Sequence, residues 1–211
     1  LSGILVYTKL VHKLLGNPDL TGAKKEVMLK HLKMIEAETK RCGDIVKGLL
    51  DFSKKDQEDF EPRHLNDIML ETYNLMSHPV KMANISFITD LGAKSDMIFC
   101  SPNQVKQACV ALLVNATEAV SENGEIVIKT SNPDQDSIKL DISDNGIGIS
   151  AEDIPHIFEP FFSTKQQVRG IGLGLPIVHG IIQSHKGKIQ VKSEPGQGTV
   201  ISITLHLVGN E

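Results

Sequence analysis

The residues best suited to chemistry lie in two glycine clusters and in the polar positions around them. From Asp141 to Leu175 the chain reads DISDNGIGIS AEDIPHIFEP FFSTKQQVRG IGLGL. Asp144-Asn145-Gly146-Ile147-Gly148-Ile149 opens this stretch and Gly170-Ile171-Gly172-Leu173-Gly174-Leu175 closes it. A phenylalanine-rich link, Phe158-Glu159-Pro160-Phe161-Phe162-Ser163-Thr164-Lys165, lies between them. Alternating glycines let the backbone turn sharply and approach a ligand with no Cβ in the way. Successive free N–H groups then form a nest for phosphate oxygens. Two such clusters about 25 residues apart imply a nucleotide held at both ends.

Two familiar phosphate motifs fail on context. A dinucleotide fingerprint needs a strand before the glycines and the spacing G-x-G-x-x-G. Here polar Lys165-Gln166-Gln167-Val168-Arg169 precedes them, and the spacing is G-x-G-x-G. A P-loop needs Lys-Ser/Thr after its glycines, but Leu175-Pro176 follows.

Upstream, Asn115 interrupts an apolar helical stretch, Leu112-Leu113-Val114-Asn115-Ala116-Thr117-Glu118-Ala119. Its amide is either satisfied by backbone in the core or offered to a ligand. An amide oxygen is a suitable hard donor for Mg²⁺, which keeps waters and phosphate oxygens in its shell. Glu118, one turn on, is either a second acceptor there or a solvated helix carboxylate. Asp144 ends a strand pattern at a glycine turn. Its carboxylate can close an Asx turn or accept a hydrogen bond from an exocyclic amine.

These residues need elements to position them. Leu1, Ile4, Thr8, Val11 and Leu15 recur in steps of three and four, a coiled-coil type of seam. Gly16 to Gly22 breaks it, and a second helix from Ala23 to about Lys55 carries the seam Met28, Leu32, Ile35, Thr39, Cys42, Val46 and Leu49. The short break makes an antiparallel hairpin. Its arms are unequal, about 15 and about 33 residues, or roughly 23 and 50 Å. Two helices cannot bury the seam alone, so the hairpin either packs on the second domain or, as expected here for residues 1–55, dimerises as a four-helix bundle.

Charged, aperiodic Asp56 to Pro62 reads as a linker, with a second domain over 63–211. There helices are expected over Leu65–Met76, Ser101–Ser121 and Leu173–Lys186. Strands are expected over Ile85–Thr89, Met97–Cys100, Glu125–Thr130, Ile138–Ser143, Lys188–Lys192 and Thr199–Leu207. Hairpin-paired strands with helices between pairs predict an α+β sandwich on a largely antiparallel sheet.

Composition narrows the classes. A chain of 211 residues holds one large or two small domains. A formal charge of −4 argues against nucleic-acid binding. Three widely spaced cysteines, Cys42, Cys100 and Cys109, fit neither a disulfide framework nor zinc, and favour a reducing, cytoplasmic setting. No apolar run reaches the roughly 18 residues of a membrane helix, so no membrane contact is expected. A first residue of Leu1 rather than Met is expected of a fragment or processed product. With no tryptophan, the core must rest on Ile, Leu and Val.

In this order the motifs resemble the ATP-binding domain of histidine kinases, within the wider GHKL family shared with gyrase, Hsp90 and MutL. Asn115 stands in the N box, and Asp144-Asn145-Gly146-Ile147-Gly148 is the first glycine box. Phe158 to Lys165 is the F box, Gly170 to Leu175 the second glycine box, and Gly196-Gln197-Gly198-Thr199 the last. The resemblance covers roughly residues 60–208 and implies a sandwich of the Bergerat type. It implies ATP and Mg²⁺ as cofactors, with Asn115 at the metal, where the helical spacing sets Glu118 one turn away. Asp144 would take the adenine amine, helped by Thr199. Gly146, Gly148, Ile149, Phe162, Thr164, Lys165, Arg169, Gly170, Gly172, Leu173, Gly174 and Leu175 would complete the nucleotide site, with Phe158–Arg169 as a lid.

The helical hairpin then resembles the dimerisation and phosphoacceptor domain of sensor histidine kinases. Leu1-Ser2-Gly3-Ile4-Leu5 resembles the tail of their H-E-x-x-N-P-L-x-x-I pattern, which puts the acceptor histidine upstream of Leu1. His12 and His31 lack the flanking acidic and Asn-Pro residues, and they and the other histidines read as solvated side chains. The implied function is transfer of the ATP γ-phosphate to a histidine, for relay to an aspartate on a response-regulator receiver domain. The fragment itself is expected not to autophosphorylate. Ala111 occupies the position where the ATPase branches carry a general-base glutamate, which disfavours an ATP-driven clamp. A non-catalytic nucleotide-binding scaffold is the other alternative.

Overall fold

A computed structural model of the chain describes residues 2–15, 26–35, 39, 59–163 and 172–209. The chain divides into two compact units, Leu1–Lys55 and Asp56–Glu211.

In the first unit, helix α1 spans Ser2–Leu15 and residues 26–35 are helical (α2). Val11 of the expected seam is buried, but Leu32 is 44% exposed. His12 is exposed as expected, whereas His31 is half-buried and stacks on Tyr7 with ring centroids 5.6 Å apart. The expected break at Gly16–Gly22 and the seam positions Cys42, Val46 and Leu49 lie outside the described residues.

The second unit starts with strand β1, Glu61–His64, paired antiparallel with β3, Met97–Cys100. Glu61 and Pro62 therefore belong to a strand rather than to the end of a linker. Pro62 is tolerated because a two-stranded sheet leaves its missing N–H on an edge. Helix α3 follows over Leu65–Met82. It runs past the expected end at Met76 and takes Pro79 into its last turns.

The main sheet has the order β2-β4-β5-β7-β6. Its strands are β2 (Ser86–Leu91), β4 (Glu125–Ser131), β5 (Ser137–Asp144), β6 (Lys188–Glu194) and β7 (Gly198–His206). Three of its four pairings are antiparallel, as expected, but β2 pairs parallel with β4. The expected pairing of β2 and β3 as a hairpin is thus wrong. The connection between them is drawn away by Asn132, whose Oδ1 accepts from Lys94 N at 2.9 Å and Ser95 N at 3.1 Å. Leu65 N then donates to Asp96 O at 2.8 Å, which fixes the start of β3 beside β1.

Helix α4, Pro102–Ala119, starts as its sequence predicts. Ser101 caps it by accepting from Gln104 N, and Pro102 takes the first position. Val105, Ala108, Cys109, Leu112, Leu113 and Ala116 form its buried face. Helix α5, Gly174–Ser184, also has its proline, Pro176, in the first turn. Helices α3, α4 and α5 pack on β2, β5 and β6 in turn. Between them Ile126, Ile128, Leu140, Leu112, Leu113, Ile182 and Ile203 form an aliphatic core. Cys100 and Cys109 are free thiols in it, pushed by burial up to about 11 and about 12. His185, expected to be solvated, is also buried. Its Nε2 accepts from Ser101 N at 3.0 Å, and its Nδ1 lies 2.8 Å from Ile181 O.

Candidate functional site

The fold gathers the glycine clusters around one cavity of about 200 Å³. Helix α4 contributes Leu112, Asn115, Ala116, Glu118 and Ala119, spaced so that the helical period brings them to one stripe. The sheet contributes Ile142 and Asp144 from β5, and Thr199 and Ile201 from β7. These pairs follow the strand period of two, and the register sets Asp144 opposite Thr199 and Ile142 opposite Ile201. The turn after β5 adds Ile147, Gly148 and Ile149, and the segment beyond it adds Ile157, Phe162 and Ser163. Gly172, Gly174, Leu175 and Pro176, at the start of α5, close the far end.

Asp144 closes its Asx turn and still borders the cavity, with its Oδ1 accepting from Gly146 N at 2.9 Å. Burial raises its pKa above the ordinary carboxylate value, while hydrogen bonds from the Gly146 and Thr199 backbone hold the rise back.

Asn115 is half-buried and has no hydrogen-bond partner among the described residues, so the backbone-satisfied alternative does not hold. Across from it lies Gly174, where a Cβ would stand 3.7 Å from Asn115 Nδ2. Helix α5 starts at that point with no side-chain cap. Its first N–H groups lack intrahelical partners and carry the positive end of the helix dipole, a setting suited to phosphate.

The first glycine turn is held in place from three directions. Ile147 N donates to Ala119 O at 3.0 Å, Gly196 N donates to Ile147 O at 2.8 Å, and Ile149 N donates to Ser193 Oγ at 2.8 Å. Gly148 has φ +70°, and a Cβ there would lie 2.0 Å from Glu194 O. Only glycine fits both constraints. Gly146 and Leu173 do not border the cavity. Gly146 sits under the last turn of α4, and Leu173 is the N-cap residue of α5.

Asn115, Glu118, Asp144, Gly148, Ile149, Phe162, Gly172, Gly174, Leu175 and Thr199 are thus brought to one cavity. Thr164, Lys165, Arg169 and Gly170 lie outside the described residues. Sequence reasoning passed over the apolar walls, Leu112, Ala116, Ile142, Ile147, Ile157 and Ile201. Their periodicity with Asn115, Asp144 and Thr199 could have found most of them. The donor set fits a magnesium-bound adenine nucleotide. It offers aliphatic walls, the Asp144 carboxylate, an Asn115 amide with no partner among the described residues, and the uncapped N-terminus of α5.

Comparison with known proteins agrees with this geometry. The family described as histidine kinase-, DNA gyrase B- and HSP90-like ATPase matches residues 100–209. Sporulation kinase E of Bacillus subtilis (strain 168) is 35% identical over 175 residues, 83% of this chain and 23% of that protein. The signal transduction histidine-protein kinase AtoS of Escherichia coli (strain K12) is 32% identical over 176 residues, 83% of this chain and 29% of that protein. The chain thus spans under a third of the length of either relative. Among solved structures, histidine kinase ThkA in complex with the response regulator TrrA aligns with a TM-score of 0.73 at 26% identity, over 97% of this chain and 57% of that one. The chain belongs to the histidine kinase-, DNA gyrase B- and HSP90-like ATPase family, and within it to the sensor histidine kinases.

Proposed function

We propose that this chain is the catalytic core of a dimeric sensor histidine kinase that binds Mg·ATP in the cavity between α4, β5, β7 and α5. In this reading the γ-phosphate is transferred to an imidazole nitrogen and relayed to an aspartate on a response-regulator receiver domain. The observation that carries it is the pairing, in one aliphatic slot, of a half-buried carboxylate, Asp144, with an amide, Asn115, that has no side-chain hydrogen bond among the described residues. The bound nucleotide would supply the phosphoryl group and the metal its charge neutralisation, in a chemistry that asks the protein mainly for positioning.

Asp144 accepts from the exocyclic amine, with Thr199 beside it. Ile142, Ile147, Ile149, Ile157, Ile201 and Phe162 take the purine faces. The Asn115 oxygen would be the donor that α4 offers to magnesium, with Glu118 one turn on. Gly172, Gly174 and the first N–H groups of α5 receive phosphate oxygens. By the sequence pattern alone, Thr164, Lys165, Arg169 and Gly170 would add to the phosphate end.

Residues 1–55 form the homodimer, and the exposed Leu32 supports a seam completed by a second copy. Sequence preceding Leu1 holds the acceptor imidazole, since neither His12 nor His31 carries the flanking pattern. The core works on the cytoplasmic side, and no described helix is long and apolar enough to cross a membrane. Ala111 packs against the core and gives water no base, which disfavours an ATP-driven clamp.

The test uses γ-labelled ATP on this chain and on one extended upstream by some twenty native residues, about six helical turns. Acid-labile label only on the longer chain is the expected result. Label on the short chain would move the acceptor to His12, His31 or another residue within it. Label on neither, with Mg·ATP binding intact, would favour the non-catalytic scaffold.

A further inference from the structure

Three side chains stand in one row across the sheet beside the cavity. The register sets Asp144 opposite Thr199, and Thr199 opposite Ser193, so all three project from one face of the sheet. Asp144 and Thr199 border the cavity, and Ser193 stands behind Thr199.

The hydroxyl of Ser193 has three partners. It receives Ile149 N–H at 2.8 Å, it donates to Gly198 O at 2.8 Å, and it lies 2.8 Å from Thr199 Oγ1. A hydroxyl has one proton and two lone pairs. The Ser193 proton is spent on the Gly198 carbonyl, which can only accept. The contact with Thr199 also needs a proton, and only Thr199 can supply it. Thr199 therefore donates to Ser193, and its Oγ1 has only lone pairs left for anything else.

We propose that Ser193 is a positioning residue for base selection: by holding the Thr199 proton, it makes Thr199 an acceptor toward the ligand, as the ionised Asp144 is. Two adjacent acceptors match an amino group, which has two N–H donors, and repel a carbonyl oxygen at the same place. A 6-aminopurine fits, whereas a 6-oxopurine would set its oxygen against lone pairs. A site built for one hydrogen-bonding pattern rejects the opposite pattern far more strongly than an apolar pocket rejects a change of size. The inference rests on the nucleotide reading above and adds to it a residue that does not touch the nucleotide.

The test measures binding of ATP and of inosine triphosphate, its 6-oxo counterpart, to the full chain and to variants. The unsubstituted chain should prefer ATP by about a hundredfold or more. In Ser193→Ala the Thr199 hydroxyl is released to turn and donate, and the ATP-to-ITP ratio should narrow by about tenfold. Ser193→Thr keeps a hydroxyl and should restore the ratio. Thr199→Val removes an acceptor and should weaken ATP more than ITP, and this variant carries the test if Ser193→Ala does not fold. Equal weakening of both nucleotides in Ser193→Ala would mean that Ser193 only braces the loop, and would overturn the proposal while leaving the nucleotide site standing. Thr199→Val weakening ITP more than ATP would also overturn it. An unsubstituted chain that binds no ATP would overturn the nucleotide reading, and this inference with it.

Discussion

Ile147 donates its backbone N–H to the carbonyl of Ala119 at 3.0 Å, which fastens the first glycine turn to the last turn of α4. The bond leaves no room at the neighbouring position, where a Cβ on Gly146 would come within 2.5 Å of the same carbonyl. Gly146→Ala must therefore push the turn off the helix. We expect a loss of about 1–3 kcal/mol by chemical denaturation, together with weaker nucleotide binding. Full stability in this variant would show that the turn is free to shift.

Asp144→Asn separates recognition from stability. Burial raises the folded-state pKa of Asp144 above the ordinary 3.8. A raised carboxyl pKa contributes stability that is present below the unfolded value and lost as pH rises through the folded value. At pH 7 the ionised group thus weighs against folding. Asparagine keeps an oxygen for Gly146 N and removes that charge. The variant should melt at the same or a higher temperature at pH 7, with its advantage shrinking as the pH falls toward 3.5. ATP binding should fall at least about tenfold through the altered acceptor edge. A lower melting temperature together with unchanged ATP binding would contradict both parts.

Asn115→Ala tests the proposed magnesium role of the α4 amide. Among the described residues the Asn115 amide has no hydrogen bond to lose, so folding should change little. Magnesium-dependent ATP binding should drop by about tenfold or more, the worth of one lost polar ligand, while adenosine binding stays near its original level. Equal losses for adenosine and Mg·ATP would place Asn115 at the base rather than at the metal.

His64 gives the second unit a pH dependence of the opposite chemical origin. Its Nδ1 lies 2.7 Å from Asp96 Oδ1, and this hydrogen bond, followed by the charge of Asp96, raises its pKa above 6.5. The stabilisation is fully present below pH 6.5 and disappears as pH rises through the folded-state value. The pair is solvent-screened, so the effect should be small. The melting temperatures of the chain and of His64→Gln should converge as the pH climbs above neutrality. A gap that widens there would mean that neutral His64 is the stabilising form.

Legibility followed the range of the forces involved. The glycine boxes and Asp144 could be read because local backbone demands select their residue types: Gly148 must adopt φ +70° against Glu194 O. Helices α4 and α5 could be read because their caps and first-turn prolines are local too. The hairpin expected between β2 and β3 failed for a nonlocal reason, since Asn132 captures their connection from more than thirty residues away. His185 was misread for the same kind of reason, as its partner Ser101 is distant in sequence. Ser193 became informative only once the register had set it opposite Thr199.

The parallel pairing of β2 with β4 has a consequence for the order of folding. Ser86 meets Glu125 only after the whole crossover through β3 and α4 has closed, whereas β4–β5 and β6–β7 close through short turns. Long loops are slow to close. Strand β2 should therefore dock last, and its amide protons should exchange first. The strand residues that border the cavity come from β5 and β7, not from this edge. Opening at β2 can thus proceed while the strands that border the cavity stay paired, so that the most labile strand of the sheet is also the one whose loss the site can best withstand.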